Sequence, residues 1–305
     1  MGEKVLMKGN EAIGEAAIRS GCRHFFGYPI TPQTELSAYM AKKMPKINGV
    51  FLQAESEVSA INMVYGAAAA GMRTMTSSSS PGISLKAEGI SYLAAGDLPC
   101  VIVNIVRGGP GLGGIQPAQS DYFQAVKGGG HGDYHLIVLA PNSVQELAHL
   151  TAEAFNISDE YRISTMILGD GTLGQMMEPV DLDAIPEPIY ADKPWAARGT
   201  DNKRKKNVVE TLYLEASELE KKVLEREEKY NVVKENLQRY EAHDIDDADI
   251  IISSYGITSR VVETAVKSLR EEGIKVGVIR PITLWPFPEK IFKTVKPKAF
   301  LSVEM

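Results

Sequence analysis

Two carboxylates, Glu55 and Glu57, lie two residues apart where a predicted strand passes into a predicted helix. A carboxylate near a helix start ordinarily compensates the helix dipole. The helix that follows is unusually small and smooth, with four alanines at 67–70, so a planar ring or another subunit could approach it closely. One carboxyl of such a pair can be buried as an acid while the other stays solvated. Glu57 is the residue that we single out for chemistry, and Glu55 is the second choice, but the pattern alone favours the dipole-compensating role.

Two other segments contain residues that could act as nucleophiles or bind phosphate. The serines at 77–80 would need a positioned base, for which His131 is the tempting candidate, but a loop histidine is more often structural. The glycine-rich segment 108–114 lacks the lysine of a P-loop and the GxGxxG register. We therefore expect an active-site loop there, and no hydrolase.

These segments follow strands of a predicted α/β fold. Strands and helices alternate between residue 5 and about residue 180, which predicts a parallel sheet covered on both faces. Such sheets bind ligands at the carboxyl ends of their strands. The predicted helices are 10–20, 35–43 and 57–70, and the predicted strands are 24–27, 50–54, 74–76, 100–106, 136–139 and 165–168.

The composition changes after this unit. Four prolines between 179 and 194 predict an extended connector. From about 207 to 240 the chain is highly charged, and its apolar residues recur at the spacings of a long helix. We expect this helix to pack along its own protein; a coiled coil with a partner is the alternative, which Arg226 makes less favourable by interrupting the apolar seam.

A second α/β unit is predicted from Asp249. It contains strand 250–253, helix 259–272, strand 276–279, a helix opened by residues 284–288, and strand 299–303. Three strands make a small sheet, so this domain looks unfinished at residue 305.

Five segments in order resemble one family, the 2-oxoacid:ferredoxin oxidoreductases. GYPITP at 27–32, ESE at 55–57, SSSSPG at 77–82 and RGGPG at 107–111 resemble its pyrimidine-binding domain. RPITLWPFP at 280–288 resembles the transketolase-carboxy-terminal-like domain of the same subunit. The likeness covers nearly the whole chain, is weakest in the connector, and is greatest to the branched-chain type, 2-oxoisovalerate:ferredoxin oxidoreductase. It implies a thiamine pyrimidine-binding domain at 1–180, a proline-rich connector with a charged helix at 181–246, and a smaller, Rossmann-like domain at 247–305, apparently incomplete.

The resemblance also implies roles for individual residues. Glu57 would hydrogen-bond N1′ of the aminopyrimidine of thiamine diphosphate, which requires a carboxyl that shares a proton in a dry site. Thr31 and Arg107 would lie near the substrate, where an arginine fork binds the carboxylate of a 2-oxoacid. The alternatives are a turn hydroxyl for Thr31 and an ion pair for Arg107. The implied cofactor contacts are Tyr28, Pro29, Ile30, Glu57, Ser80 and Gly82.

We expect the metals of such an enzyme on partner chains. The segment GDG at 169–171 resembles the start of the Mg²⁺-diphosphate motif of thiamine enzymes, but prolines occupy the region where that motif continues, although Asn202 follows. The two cysteines, Cys22 and Cys100, are far apart and cannot supply the four thiolates of an iron–sulfur cluster. We therefore predict no metal ligand in this chain.

The implied reaction is the oxidative decarboxylation of a 2-oxoacid to acyl-CoA with reduction of ferredoxin. The implied partners are a diphosphate-binding subunit, a gamma-type subunit and a ferredoxin-like subunit, with self-association in a hetero-oligomer. A pyruvate- or 2-oxoglutarate-specific member and a non-catalytic scaffold subunit remain alternatives. A non-redox thiamine enzyme is disfavoured because no diphosphate domain is recognised in the chain.

The length, net charge and apolar content of the chain agree with this interpretation. The chain has 305 residues, enough for two domains, and a net charge of −6, which does not favour a nucleic acid or an anionic membrane as partner. No apolar run is long enough to span a bilayer, and residues 1–8, with Glu3, Lys4 and Lys8, do not resemble a signal peptide. We expect a cytoplasmic protein.

Overall fold

The structure is a computed structural model that describes residues 4–305. Residues 1–3, including Glu3 of the amino-terminal segment considered above, lie outside the described residues. The described chain forms three sheets: one of seven strands, one of four, and a two-stranded ribbon. Among the described residues, no helix has both the length and the apolar character needed to cross a membrane.

Helices and strands alternate along most of the chain, as expected for an α/β protein. The helices are α1 (Gly9–Arg19), α2 (Thr34–Lys43), α3 (Glu57–Ala69), α4 (Pro81–Ala95), α5 (Tyr122–Val126), α6 (Val144–Tyr161), α7 (Gly171–Gln175), α8 (Ala216–Asn236), α9 (Gly256–Glu271) and α10 (Glu289–Thr294). The strands are β1 (Lys4–Lys8), β2 (His24–Gly27), β3 (Val50–Gln53), β4 (Thr74–Ser78), β5 (Val101–Val106), β6 (Ile137–Leu139), β7 (Thr165–Asp170), β8 (Met177–Asp181), β9 (Tyr240–His243), β10 (Ile250–Ser253), β11 (Val276–Pro281), β12 (Thr283–Trp285) and β13 (Ala299–Ser302).

The large sheet has the order β12-β6-β7-β5-β4-β2-β3. All its pairs are parallel except β12–β6. Every residue of β4, β5 and β7 is buried, which explains their continuous rather than alternating apolar pattern. The sheet core therefore lies between two helical layers, and the predicted parallel sheet is confirmed.

The connector is tied to the large sheet through Arg73, which lies just before β4. Its guanidinium donates to Asp159 at 2.8 Å, to the carbonyl of Ser20 at 2.6 Å and to the carbonyl of Ile189 at 2.5 Å. The ring of Tyr190 lies 4.8 Å from the guanidinium carbon. Arg73 thus helps to hold the extended, proline-rich segment against the large-sheet unit, together with the ion pair between Lys193 and Asp159.

The predicted helix at 207–240 is shorter than expected. It begins at Ala216, because the preceding segment contains β-branched residues and packs irregularly, with Val209 close to Gly96. Its carboxyl-terminal half packs on its own protein: Tyr230 and Val233 are buried, and Arg226 donates to the carbonyl of Ala95 at 3.2 Å. The arginine that interrupts the apolar seam therefore contacts the large-sheet unit.

The small sheet contains four strands instead of the predicted three, in the order β13-β10-β11-β9. The additional strand, β9, pairs antiparallel with β11; its first residue, Tyr240, is the last residue of the predicted charged helix, and no element was predicted for its other residues. The apolar pattern of the sequence does not reveal β9, because this strand is only four residues long and half-exposed.

Residues 284–288 do not open a helix as predicted. Residues 283–285 form β12 on the edge of the large sheet, and α10 begins at Glu289. Trp285 stacks on His135, with ring centroids 4.6 Å apart, and meets Tyr230 edge to face. Proline at 286 and 288 disfavours an earlier helix start. Burial of this tryptophan therefore links the second unit to the first sheet.

Arg280 in β11 provides a second link between the two units. Its side chain is 2% exposed and makes a bidentate pair with Glu146 of α6, at 2.7 and 2.8 Å, and a bond to Glu241 of β9 at 2.8 Å. Burial opposes the charged guanidinium, but these bonds outweigh it and raise the pKa of Arg280. The fork geometry is therefore important for how the units meet.

We predict that Arg280→Lys lowers the unfolding free energy by about 1–3 kcal/mol, because lysine keeps the charge but loses the fork. Urea denaturation of the chain measures this. The matched control is Arg260→Lys, since Arg260 also joins the units, through Glu178 at 2.8 Å, but its side chain is 41% exposed. The control should cost less than about 1 kcal/mol. Equal losses of unfolding free energy in both variants would show that the guanidinium fork of Arg280 is not what stabilises the chain here.

Candidate active site

The segments singled out in the sequence meet at one edge of the large sheet. β5, β4, β2 and β3 are consecutive neighbours and run parallel, so their carboxyl ends point the same way. Residues 28–33 follow β2, Glu57 follows β3, residues 79–82 follow β4, and Arg107 follows β5. This is the edge at which α/β sheets bind ligands.

Glu57 is the buried carboxyl of this edge. It is the first residue of α3, is 2% exposed, and follows Ser56, whose side chain caps the helix by accepting from the backbone of Ser59. One carboxylate oxygen accepts from the hydroxyl of Ser78, and the other accepts from the ammonium of Lys86. Each carboxylate oxygen has a further lone pair, so the group retains acceptor capacity.

Glu55 is placed differently. It is exposed and accepts a bond from the hydroxyl of Ser59 at 3.0 Å, which keeps it on the outer side of the α3 start. The two carboxyls therefore have the contrasting environments expected of them, and the buried one is Glu57.

Lys86 is a site residue that the sequence interpretation missed. It lies in α4, is fully buried, and also donates to the hydroxyl of Thr76 at 3.1 Å. Burial lowers its pKa, which the charge of Glu57 opposes. The sequence contains one signal that could have identified it: Lys86 is a charged residue on the apolar face of α4, which it shares with Ile83, Ile90 and Leu93.

Gly82 allows α4 to approach the carboxyl. A Cβ atom at this position would lie 2.0 Å from Ser78 Oγ and 2.5 Å from Glu57 Oε1. Ser80, two residues before Gly82, has a φ of 26°, in the region that residues other than glycine rarely adopt. Its backbone N–H donates to Asn104 at 3.1 Å, and its hydroxyl donates to the carbonyl of Arg107 at 3.2 Å. Asn104, which the sequence interpretation also missed, thus helps hold this strained turn.

Arg107 and Thr31 are brought together. The guanidinium of Arg107 donates to the carbonyl of Thr31 at 2.9 Å and to the carbonyl of Leu112 at 3.0 Å. Arg107 is 6% exposed, and within residues 4–305 its Nε–H has no hydrogen-bond partner. A buried cation bonded to carbonyls and retaining free donors is suited to an incoming carboxylate.

The loop after β2 has a buried anchor and an exposed face. Gln33 is fully buried, donates to the carbonyl of Tyr28 at 3.1 Å and accepts from Ser77 at 2.6 Å. Tyr28, Pro29 and Thr31 are exposed, while Ile30 is half-buried. The loop is therefore fixed from below and presents its side chains outward.

Asp170 of the GDG segment and His131, to which we assigned no chemistry, make contacts that explain them structurally. Asp170 caps α7, accepting from the backbone of Thr172 at 2.8 Å and of Leu173 at 3.1 Å. Burial raises its pKa, opposed by these bonds and by the backbone N–H of Ile257. His131 lies 3.4 Å from the hydroxyl of Ser91, not beside the serines at 77–80.

We predict that Gly82→Ala destabilises the chain by about 1–3 kcal/mol, because the added methyl collides with Ser78 and Glu57. Thermal unfolding measures this. Gly66→Ala in α3 is the matched control, since a Cβ there meets nothing within 4 Å. Alanine favours helices, so the control should be neutral or stabilising by up to about 1 kcal/mol. A stabilising effect in both variants would show that α4 does not pack closely on Glu57.

Family models match nearly all of the chain. The model described as pyruvate flavodoxin/ferredoxin oxidoreductase, thiamine diphosphate-binding, matches residues 15–256. The model described as pyruvate:ferredoxin oxidoreductase core domain II matches residues 248–305. A solved 2-oxoglutarate:ferredoxin oxidoreductase from Magnetococcus marinus superposes with a TM-score of 0.89 at 30% identity, covering 100% of this chain. The present chain spans 58% of that chain's length. A split-gene transketolase, with a TM-score of 0.56 at 14% identity, covering 99% of this chain and 80% of its own, shares the fold.

Proteins with similar sequences agree with the family models. A ketoisovalerate oxidoreductase subunit VorB from Methanothermobacter marburgensis is 50% identical over 98% of this chain and 86% of its own length. A 2-oxoglutarate synthase subunit KorA from Methanocaldococcus jannaschii is 36% identical over 98% of this chain and 87% of its own. These matches confirm both the motif resemblance and the fold class, and the chain belongs to the 2-oxoacid:ferredoxin oxidoreductase family.

Proposed function

We propose that this chain provides the pyrimidine-facing half of a thiamine diphosphate site in a hetero-oligomeric branched-chain 2-oxoacid:ferredoxin oxidoreductase. The observation that carries the proposal is a carboxyl, Glu57, buried at the ligand-binding edge of the sheet and retaining acceptor capacity. Gly82 lets α4 pack directly on this carboxyl, since a Cβ there would lie 2.5 Å from Glu57 Oε1. The residues present therefore fit the cofactor that the family implies.

The bound cofactor supplies a nucleophilic carbon for attack on the 2-oxo group. The role of Glu57 is to exchange a proton with N1′ of the aminopyrimidine, and the dry surroundings of α3 and α4 keep water from competing for that proton. Tyr28, Pro29, Ile30 and Ser80 would line the approach to the ring. Ser80 is held by Asn104 and Arg107, so that turn is preorganised.

Arg107 and Thr31 would hold the substrate. The Nε–H of Arg107, which has no partner among residues 4–305, and the hydroxyl of Thr31 can both donate to a carboxylate. A branched-chain acid such as 2-oxoisovalerate has one carboxylate, which one arginine satisfies. The 50% identity to ketoisovalerate oxidoreductase subunits, against 36–37% to 2-oxoglutarate synthase subunits, supports this substrate class. A 2-oxoglutarate- or pyruvate-specific enzyme is the alternative.

The remaining parts of the enzyme would come from other subunits. We assign the Mg²⁺-diphosphate end to a diphosphate-binding subunit, and the iron–sulfur clusters and the CoA and ferredoxin reactions to gamma-type and ferredoxin-like subunits. Cys22 and Cys100 are buried and free, burial raises the pKa of each to about 12, and two cysteines cannot supply the four thiolates of a cluster. Free cysteines also agree with a cytoplasmic location.

We further propose that the chain divides into three parts. Residues 1–180 would form the pyrimidine-binding domain, 181–246 the connector with its charged helix, and 247–305 the transketolase-like domain. Self-association within the complex would bring two such chains into one assembly.

We predict that Glu57→Gln, in the assembled complex, leaves assembly and cofactor binding intact but lowers the rate of C2 proton exchange by about 10²–10⁴-fold. Glutamine is nearly isosteric and can hydrogen-bond N1′, but it cannot exchange a proton. NMR of the C2 proton measures the rate. Glu55→Gln, two residues away and exposed, is the matched control and should exchange at the wild-type rate. Wild-type exchange in the Glu57 variant would overturn the assignment, and a scaffold subunit would become the better interpretation.

We predict that Arg107→Lys raises KM for the 2-oxoacid by about tenfold or more, because lysine cannot reproduce the fork. KM for CoA, measured in the same steady-state assays, should stay unchanged and serves as the internal control. Equal increases in both constants, or none, would argue that Arg107 only supports the glycine-rich loop.

A further inference from the structure

Lys86 is a buried ammonium whose role in the site is unassigned. Its side chain is 0% exposed, and it lies between Ile83 and Ile90 on the inner face of α4. A lysine in such a place must lose its hydration, whereas a methionine of similar length would fill the same space without that cost. The burial of a lysine beside Glu57 therefore indicates that its ammonium has a role in the chemistry of the site.

The groups around the ammonium are few. Nζ donates to Glu57 of α3 and, at 3.1 Å, to the hydroxyl of Thr76 of β4. Ser78 of β4 bonds the other oxygen of the same carboxyl. In the described chain, the one charge that acts on Lys86 is that of Glu57. Lys86 and Glu57 thus form an isolated pair, closed to water, that carries no net charge as an ammonium and a carboxylate.

We propose that Lys86 is a positioning residue that fixes Glu57 and shares with it the proton that Glu57 presents to the aminopyrimidine ring. This inference rests on the proposed function, because it assumes that Glu57 meets N1′. Beyond that function, the inference identifies Lys86 as the source of the proton and explains why a lysine is buried beside Glu57.

The proton balance favours this arrangement. Before transfer, Lys86 is an ammonium, Glu57 a carboxylate and N1′ unprotonated. A proton leaves Nζ for the carboxyl of Glu57, and the carboxyl delivers a proton to N1′; Lys86 is then a neutral amine, Glu57 again a carboxylate, and the ring positive. The buried group stays neutral throughout. If Lys86 kept its proton, the same group would carry a net positive charge, which burial disfavours.

The direction of the lysine pKa agrees with this step. Burial lowers the pKa of Lys86, so that the ammonium releases its proton more readily than an exposed lysine does. The attraction of Glu57 limits this effect and keeps the proton within the pair while the ring is absent.

Three variants in the assembled complex test the proposal. Lys86→Met removes the amine, and Lys86→Arg keeps a charge that cannot be released. The control is Lys222→Met, at a half-exposed position in the second turn of α8. We expect the control to exchange the C2 proton at the wild-type rate. Both Lys86 variants should exchange at least tenfold more slowly while thiamine diphosphate still binds. Restoration of wild-type exchange by arginine would overturn proton sharing and leave a purely structural ion pair.

A second measurement needs no cofactor and covers the case in which arginine does not fit. The folded-state pKa of Lys86 is lowered, so Lys86 takes up a proton on unfolding at pH values between that pKa and about 10.5, the ordinary lysine pKa. Over that range it makes stability rise with pH. The melting temperature of the chain between pH 7 and 10 should therefore rise more steeply in the wild type than in Lys86→Met. Identical slopes would overturn a proton-releasing Lys86.

The two hypotheses fail in different ways. If Glu57→Gln retains C2 exchange, the proposed function is wrong, whatever Lys86 does. If Glu57→Gln loses exchange while Lys86→Arg retains it, the function stands and the proton-sharing role of Lys86 is wrong.

Discussion

The pairing of Glu57 with Lys86 is the interaction on which the amino-terminal site depends. Both side chains are buried, at 2% and 0% exposure, and removing either partner would leave a charge without compensation, typically a cost of about 3–5 kcal/mol. The pair therefore fixes α3 against α4. Such a close approach needs glycine at two positions of α4, since a Cβ at Gly82 would meet Glu57 and a Cβ at Gly89 would lie 2.4 Å from Ile61. These two glycines of α4 are thus required by the close packing around one buried charge pair.

Much of this arrangement could be predicted because its signals are local. Continuous apolar runs identified the buried strands, and β2 was predicted with its observed bounds. Glu57 was singled out because it opens a helix after a strand within a motif that resembles the family's, and the structure shows that it, not Glu55, is the buried carboxyl. Lys86 could not be found in this way, because a charged residue on an apolar helix face has no partner in the sequence alone. Its counter-charge is 29 residues away and is brought to it only by the packing of α3 on α4.

The errors in the carboxyl-terminal unit have a related cause. β9 and β12 are short strands on sheet edges, where pairing with another strand decides the structure and local propensity does not. β12 was mistaken for a helix start because its register is fixed by Trp285, which is buried between His135 and Tyr230. Periodicity cannot reveal a strand of three residues whose main stabilising contact is with residues distant in the sequence.

The same long-range contacts connect the second unit to the proposed substrate site. The glycine-rich loop that begins after Arg107 ends near Gln119, whose side chain donates to the carbonyl of Tyr255 at 2.8 Å and accepts from Thr258 at 2.7 Å. The other end is held by Arg107, which bonds the carbonyl of Leu112. The tip is exposed, with Leu112 82% exposed. A loop fixed at one end by the large sheet and at the other by α9 depends on how the two units dock. Because Arg280 and Trp285 fix that docking, residues far from Glu57 help determine where the loop beside Arg107 lies.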